Sequence, residues 1–203
     1  MYKLPHFTEQ NEDVVFDFMN NNSFAIITGY DGNLSVATHV PLDIKKENDH
    51  IILTGHMMKN TDHHKAFLQN ENVLVIFNGP HCYVSASWYN KKQVASTWNY
   101  IDVHAKGKIK FTDEEGTKKI IESITDKYEG TESEAAFHKL PAEYVDRLVK
   151  AIIGFTIEIT EIGNVFKLSQ NHDIETRKSI IDNLMLRTDT DSHEIAMEIK
   201  NRL

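Results

Sequence analysis

A single cysteine, Cys82, stands in this chain of 203 residues. No intrachain disulfide can form, and such sparing use of cysteine fits a reducing compartment. No apolar run approaches the length of a membrane span. The opening MYKLPHFTEQNEDVV has no long apolar core and no small-residue cleavage site, so no targeting segment is read there. A soluble, cytoplasmic protein with no membrane partner is expected. Clustered positive charge is missing as well. The net charge is -8, from 22 basic and 30 acidic residues, and Lys45-Lys46, Lys91-Lys92 and Lys118-Lys119 are isolated pairs. A protein that grips DNA neutralises phosphates with a basic face, so direct DNA binding is not expected. The chain also has no G-x-G-x-x-G, no phosphate loop, no H-E-x-x-H and no nucleophile elbow. These gaps argue against nucleotide hydrolysis, zinc proteolysis and serine hydrolysis.

What is present is concentrated between Asn78 and Tyr100. The run NGPHCYVSASWYNKKQVASTWNY holds both tryptophans together with His81, Tyr83, Tyr89, Asn99 and Tyr100. Flat rings with polar tips suit a flat ligand that is stacked and hydrogen-bonded, though the same rings also serve as ordinary core.

The periodicity gives the organisation. Thr8 to Asn21 reads as a helix capped by Thr8. Ser23 to Tyr30 and Leu34 to Leu42 read as strands of a hairpin turning at Asp31-Gly32. His50 to Met57 is a strand, followed by Lys59-Asn60-Thr61 and a short helix to about Leu68. Asn72 to Phe77 is a buried strand, and Asn78-Gly79-Pro80 turns into His81 to Ser85. Thr97 to Phe111 alternates as one long strand broken by Gly107. Thr112 to Glu115 reads as a capping box for a helix to Tyr128, with Ile120, Ile121 and Ile124 facing a core. Pro141 opens a further helix. Ile153 to Ile162 and Val165 to Leu168 are strands around a Gly163-Asn164 turn. Helices over Ile174 to Arg187 and Ser192 to Leu203 end the chain, the last capped through Asp191. Strands and helices do not alternate regularly, so a parallel sheet is not expected. The fold class read here is mainly β with α: an antiparallel barrel with peripheral helices and a C-terminal helical segment. Residues 1–171 are read as the barrel domain and 172–203 as a helical appendage packed on it.

Three constellations bear on chemistry. Eleven histidines invite a metal reading. However, His63-His64 point apart on a helix, and no carboxylates interleave with His39, His56, His81 and His104, so no metal is expected. An anion site is the second. Thr38-His39 ends one strand, and His56, Lys59 and Asn60 leave another just before a helix N-terminus, a place that suits a phosphate. The same residues also make an ordinary helix cap with a solvated Lys59. Third, Phe166-Lys167-Leu168-Ser169-Gln170-Asn171 puts a cation and two amides at a strand end, either ligand contacts or a polar strand exit. Cys82 reads as a small buried residue, not a nucleophile.

The blocks ATHVPL at Ala37 to Leu42, TGHMMKN at Thr54 to Asn60, VLVIFNGPHCYVSASWY at Val73 to Tyr89, STWNY at Ser96 to Tyr100, VHAKGKI at Val103 to Ile109 and FKLSQN at Phe166 to Asn171 resemble, in order, the PaiB-type FMN-binding negative transcriptional regulators. The resemblance implies a split β-barrel related to pyridoxamine-phosphate oxidases and flavin reductases. It also implies a homodimer with FMN in a cleft shared by two subunits, and a role in repressing gene expression. It places His56, Lys59 and Asn60 at the flavin phosphate, with Thr38 and His39 on the adjoining strand. Trp98 and Asn99 then lie near the isoalloxazine, and Lys167 and Gln170 approach from the C-terminal block. The chain departs from the family pattern at Ala86 and Ser96, where proline is common. An FMN-dependent oxidoreductase acting on a small molecule and a haem-binding split barrel are the alternative functions. No catalytic residue is assigned.

Overall fold

The computed structural model describes every residue except Tyr2, Lys3 and Asp49. Seven strands form one sheet: β1 (Phe24–Tyr30), β2 (Ser35–Pro41), β3 (Asp43–Glu47), β4 (His50–Met58), β5 (Asn72–Val84), β6 (Thr97–Phe111) and β7 (Ile152–Lys167). Their order is β2-β1-β5-β6-β7-β4-β3. The pairs β1 with β2, β1 with β5, β3 with β4, and β4 with β7 are antiparallel. The helices are α1 (Glu12–Asn21), α2 (Asp62–Gln69), α3 (Glu114–Glu129), α4 (Ala142–Ala151), α5 (Ile174–Met185) and α6 (Thr190–Lys200). The class is mainly β with α, as the sequence implies.

The chain divides into two compact units. One comprises Met1–Phe18, Asn78–Val103 and Gly163–Leu203, and the other Met19–Phe77 and His104–Ile162. In the second unit the β1–β2 hairpin is closed by Asp31, whose Oδ1 accepts the Asn33 and Leu34 amides at 2.7 and 2.6 Å. Gly32 supplies the left-handed conformation there, φ +96°. The core of this unit includes the fully buried Ile27, Leu42, Leu53, Phe77, Phe155 and Ile157. In the first unit α5 and α6 pack together through Ile180, Leu184, Ile195 and Ile199, all wholly buried. Phe18 and Phe166 meet edge to face at 5.6 Å. Arg177 on α5 closes the end of α6: its guanidinium donates to the carbonyls of Ile199 at 3.2 Å and Arg202 at 2.8 Å. A cation at a helix C-terminus satisfies orphan carbonyls and complements the macrodipole.

Several sequence expectations are corrected. Asn78-Gly79-Pro80 is not a turn, because β5 runs through it without a break. A Cβ on Gly79 would lie 2.6 Å from the Phe18 ring and 2.9 Å from the Ile101 carbonyl oxygen, so the glycine serves close packing within the strand. Gly163-Asn164 is not a turn either, since β7 is continuous. The Asn164 amide takes the place of a strand partner there: Oδ1 accepts the Glu9 amide at 2.8 Å and Nδ2 donates to the Glu9 carbonyl at 3.1 Å. Gly107 does not break β6. Asp113, not Thr112, caps α3 through the Gly116 amide, and Asp189, not Asp191, caps α6 through the Ser192 amide. Ile120, Ile121 and Ile124 are half-buried, and the buried residue of α3 is Thr117. The first helix starts at Glu12; Asn11, not Thr8, begins it, accepting the Asp13 amide at 3.0 Å.

Candidate functional site

The candidate residues fall in both units. In the second unit, β2 carries Thr38 opposite Ile27 and His39 opposite Ile26. Thr38 is half-buried, while His39 is exposed and stacked on Phe24 at 6.2 Å. Just past His39 the chain turns a corner into β3. There a Cβ on Gly55 would lie 3.2 Å from the Pro41 carbonyl oxygen, so β4 passes the end of β2 at contact distance. His56 follows on β4, half-buried and paired with Gly154 of β7. Its Nδ1 is buried and has no hydrogen-bond partner among the described residues. Burial holds its pKa below the ordinary histidine value, which keeps the ring neutral.

The loop from β4 to α2 is braced from within the unit. The Lys59 amide donates to the Ala151 carbonyl at 2.9 Å, and its ammonium donates to the Val149 carbonyl at 3.0 Å, at the C-terminus of α4. Asn60 adopts the left-handed conformation, φ +65°, one that asparagine tolerates, and its amide donates to His64 Nδ1 at 3.1 Å. Thr61 caps α2 by accepting the His64 amide. The first amides of α2 thus already have protein acceptors: His63 to Asp62, and His64 to Thr61. Among the described residues, groups with hydrogen-bonding capacity left include the His56 Nδ1, the buried His64 Nε2 and the two remaining N–H bonds of Lys59.

In the first unit, neighbouring Trp98 and Asn99 face opposite sides of β6, as strand geometry requires. Trp98 is 53% exposed and contacts His81 at 6.1 Å and Tyr83 at 6.0 Å. It lines a cavity of about 400 Å³ with these two residues, Arg187, Asp189 and Asp191. Asn99 is fully buried, and its Nδ2 donates to Ser169 Oγ at 2.9 Å. Lys167 donates to Thr97 Oγ1 at 2.5 Å and lies 5.9 Å from the Phe7 ring centroid. Burial pushes its pKa down. Asn99 and Lys167 line a second cavity, of about 330 Å³. Gln170 is a local clamp: Oε1 accepts the Leu168 amide at 2.7 Å and Nε2 donates to the Phe166 carbonyl. The structure therefore brings Asn99 and Lys167 together and places Trp98 at another cavity.

Sequence reading singled out Tyr89 in the aromatic run but missed two other parts of these walls: His172 and Arg187. The Tyr89 and His172 rings meet at a tilt, with centroids 4.5 Å apart, although 83 residues separate them, so no local pattern reveals the pair. Cys82 is buried, and desolvation raises its pKa to about 11, which leaves it a neutral thiol.

With this geometry in place, similarity to known proteins decides the family. The family model described as "Putative FMN-binding domain" matches residues 1–161. The chain belongs to this family. Within the FMN-binding-domain family, the protein is 30% identical over 204 residues to the protease synthase and sporulation protein PAI 2 of Bacillus subtilis (strain 168). That match covers 100% of this chain and 98% of the relative. The PaiB-type resemblance of the six blocks is thereby upheld. The structure of the flavocytochrome Anf3 from Azotobacter vinelandii superposes with a TM-score of 0.62 at 14% identity, covering 82% of this chain and 72% of that one. The FAD and heme binding protein from Mycobacterium smegmatis gives 0.59 at 11% identity, covering 79% and 73%. At such low identity these likenesses establish the fold, the split-barrel class expected from the sequence. No helix among the described residues is long and apolar enough to cross a membrane.

Proposed function

We propose that this protein binds FMN and acts as a regulator of the PaiB type through the flavin or a protein partner. The family match across most of the chain supports a flavin as ligand. The observation that carries the phosphate end is the cradle at β4 and α2. A buried His56 nitrogen without a partner lies three residues before a lysine that has spent one of its three donors. Both groups suit a phosphate: Lys59 as counter-charge and His56 as a neutral hydrogen-bonding group. Asn60 shapes the loop just after Lys59, and Thr38 and His39 lie on β2, whose end β4 passes. In the first unit, the exposed indole of Trp98 is the candidate for contact with the flavin ring. When bound, FMN supplies the redox chemistry; the chain's residues bind and orient it. The assembly proposed is a homodimer, with a mass in solution near twice 23.3 kDa.

The test compares FMN with riboflavin, which lacks the phosphate, by quenching of flavin fluorescence. A charge-assisted bond to phosphate is worth roughly 1.5–3 kcal/mol. Lys59→Met is therefore expected to weaken FMN about ten- to 150-fold and leave riboflavin nearly unchanged. Equal losses for both ligands would remove Lys59 from the phosphate. A mass near 23.3 kDa for the flavin-loaded protein would remove the dimer.

A further inference from the structure

The cavity of about 330 Å³ in the first unit has an unusual lining for so acidic a chain. None of its lining residues carries a carboxylate, although acidic residues outnumber basic ones 30 to 22 in the whole sequence. Its volume lies at the lower end of small-molecule sites, roughly 300–1,000 Å³. Phe7, Tyr89 and His172 give it ring walls, with Tyr89 and His172 in contact at 4.5 Å.

We propose that this cavity binds a small planar organic carboxylate, with Lys167 as its counter-ion and the Tyr89 hydroxyl as its second donor. Lys167 is half-buried and has no carboxylate within ion-pair distance among the described residues. Buried cations are ordinarily paired, because desolvation of the charge is costly. Among the described residues the ammonium's one hydrogen bond goes to the Thr97 hydroxyl, which leaves two N–H donors unused. Tyr89 keeps its hydroxyl buried with no partner among the described residues. Two donors are thus held in one acid-free cavity. The Asn99 amide is held at both ends by Ser169, donating one N–H to its hydroxyl and accepting from it at Oδ1, which leaves a single N–H.

The charge count selects the ligand. Lys167 is the one cation in the lining, and burial holds the neighbouring His172 below the ordinary histidine pKa, hence neutral. A single positive charge matches a monoanion and leaves a phosphate dianion half-neutralised. The ring walls match a flat apolar body. This departs from the cofactor role that the family resemblance implies for Lys167, and it requires FMN to bind outside this cavity.

The probe is benzoate, with benzamide as its neutral isostere, titrated calorimetrically against the full-length protein saturated with FMN and against the FMN-free protein. Benzoate is expected to bind at least ten times more tightly than benzamide in both. Lys167→Met should abolish that preference, Lys167→Arg should keep most of it, and Tyr89→Phe should weaken benzoate about fivefold. Unfolding curves of each variant establish that it is folded. Equal binding of benzoate and benzamide, or undiminished benzoate binding by Lys167→Met, overturns the proposal. So does displacement of benzoate by FMN, which would make the cavity part of the flavin site. Failure of FMN itself to bind is seen separately, because the flavin-free titration still decides the carboxylate question.

Discussion

The backbone amide of Ala86 donates to the side-chain oxygen of Ser96 at 2.9 Å. These are the two positions at which the chain departs from the proline common in PaiB-type sequences. A proline at residue 86 has no N–H to give, and a proline at residue 96 has no hydroxyl to receive it. The hydrogen bond thus stands where the PaiB-type resemblance implies prolines, and it ties the start of the short 3-10 turn Ala86–Trp88 to the start of β6.

The pair is expected to behave as a unit. Ala86→Pro leaves Ser96 without its donor, and Ser96→Pro strands the Ala86 amide, each at a cost of about 1 kcal/mol. The double variant removes both halves and gains the entropy of two prolines, roughly 0.4–1 kcal/mol each at a compatible backbone. Residue 86 opens a helical turn, a place proline tolerates. Urea unfolding of all four proteins should show the double variant more stable than the sum of the single effects. Additive losses would contradict the coupling.

Ser169 adopts φ +60° while its hydroxyl engages the wholly buried Asn99 amide. Ser169→Ala keeps the strained backbone and leaves a buried amide unsatisfied, a loss of about 1–3 kcal/mol. Ser169→Gly loses the same bond but relieves the left-handed strain, itself of order 1 kcal/mol. Chemical denaturation should therefore rank glycine above alanine at this site. The reverse order would contradict the backbone argument.

Burial lowers the pKa of His56, His64, His104 and His172. Each is held neutral in the fold, so below the ordinary histidine value of about 6.5 the unfolded chain binds more protons. Stability is full above that pH and declines as pH falls toward the depressed folded values. Asp31, Asp62, Asp173 and Asp189 are held below the ordinary carboxylate value by hydrogen bonds and start to matter only under more acid conditions. The melting midpoint should fall between pH 7.5 and pH 5.5. A flat profile across that interval would contradict the reading.

Gly107 sits in the middle of β6, where a Cβ would lie 2.5 Å from the Glu158 carbonyl oxygen of β7. Backbone cannot yield as a flexible side chain does. Gly107→Ala is expected to cost about 1–3 kcal/mol by overpacking. A melting temperature equal to that of the parent would show that the two strands separate at no cost.

Where burial alternates regularly, the fold is legible from the residues alone. The strand β6 keeps an alternating pattern from Thr97 to Phe111, and both its ends are read correctly. β3 escapes notice because only Asp43 and Ile44 of DIKKE are buried, so the segment reads as a polar connection. The false turns at Gly79-Pro80 and Gly163-Asn164 have a common cause. Local turn chemistry is overridden by distant partners, Phe18 in one case and the Glu9 backbone in the other. The β4–α2 loop is legible because His56, Lys59 and Asn60 follow one another in sequence. The Lys167 cavity is not, because Phe7, Tyr89, Thr97, Lys167 and His172 come from separated segments.

The central claim, that FMN is the ligand of this member of the family, is tested most directly by the chromophore of the purified protein. The protein is saturated with a mixture of FMN, FAD and haem, freed of unbound ligand, and its visible spectrum recorded. The bound molecule is then released by heat and identified by mass. The expected result is a flavin spectrum and the mass of FMN, close to one per chain. A haem Soret band, the mass of FAD, or no retained chromophore would contradict it.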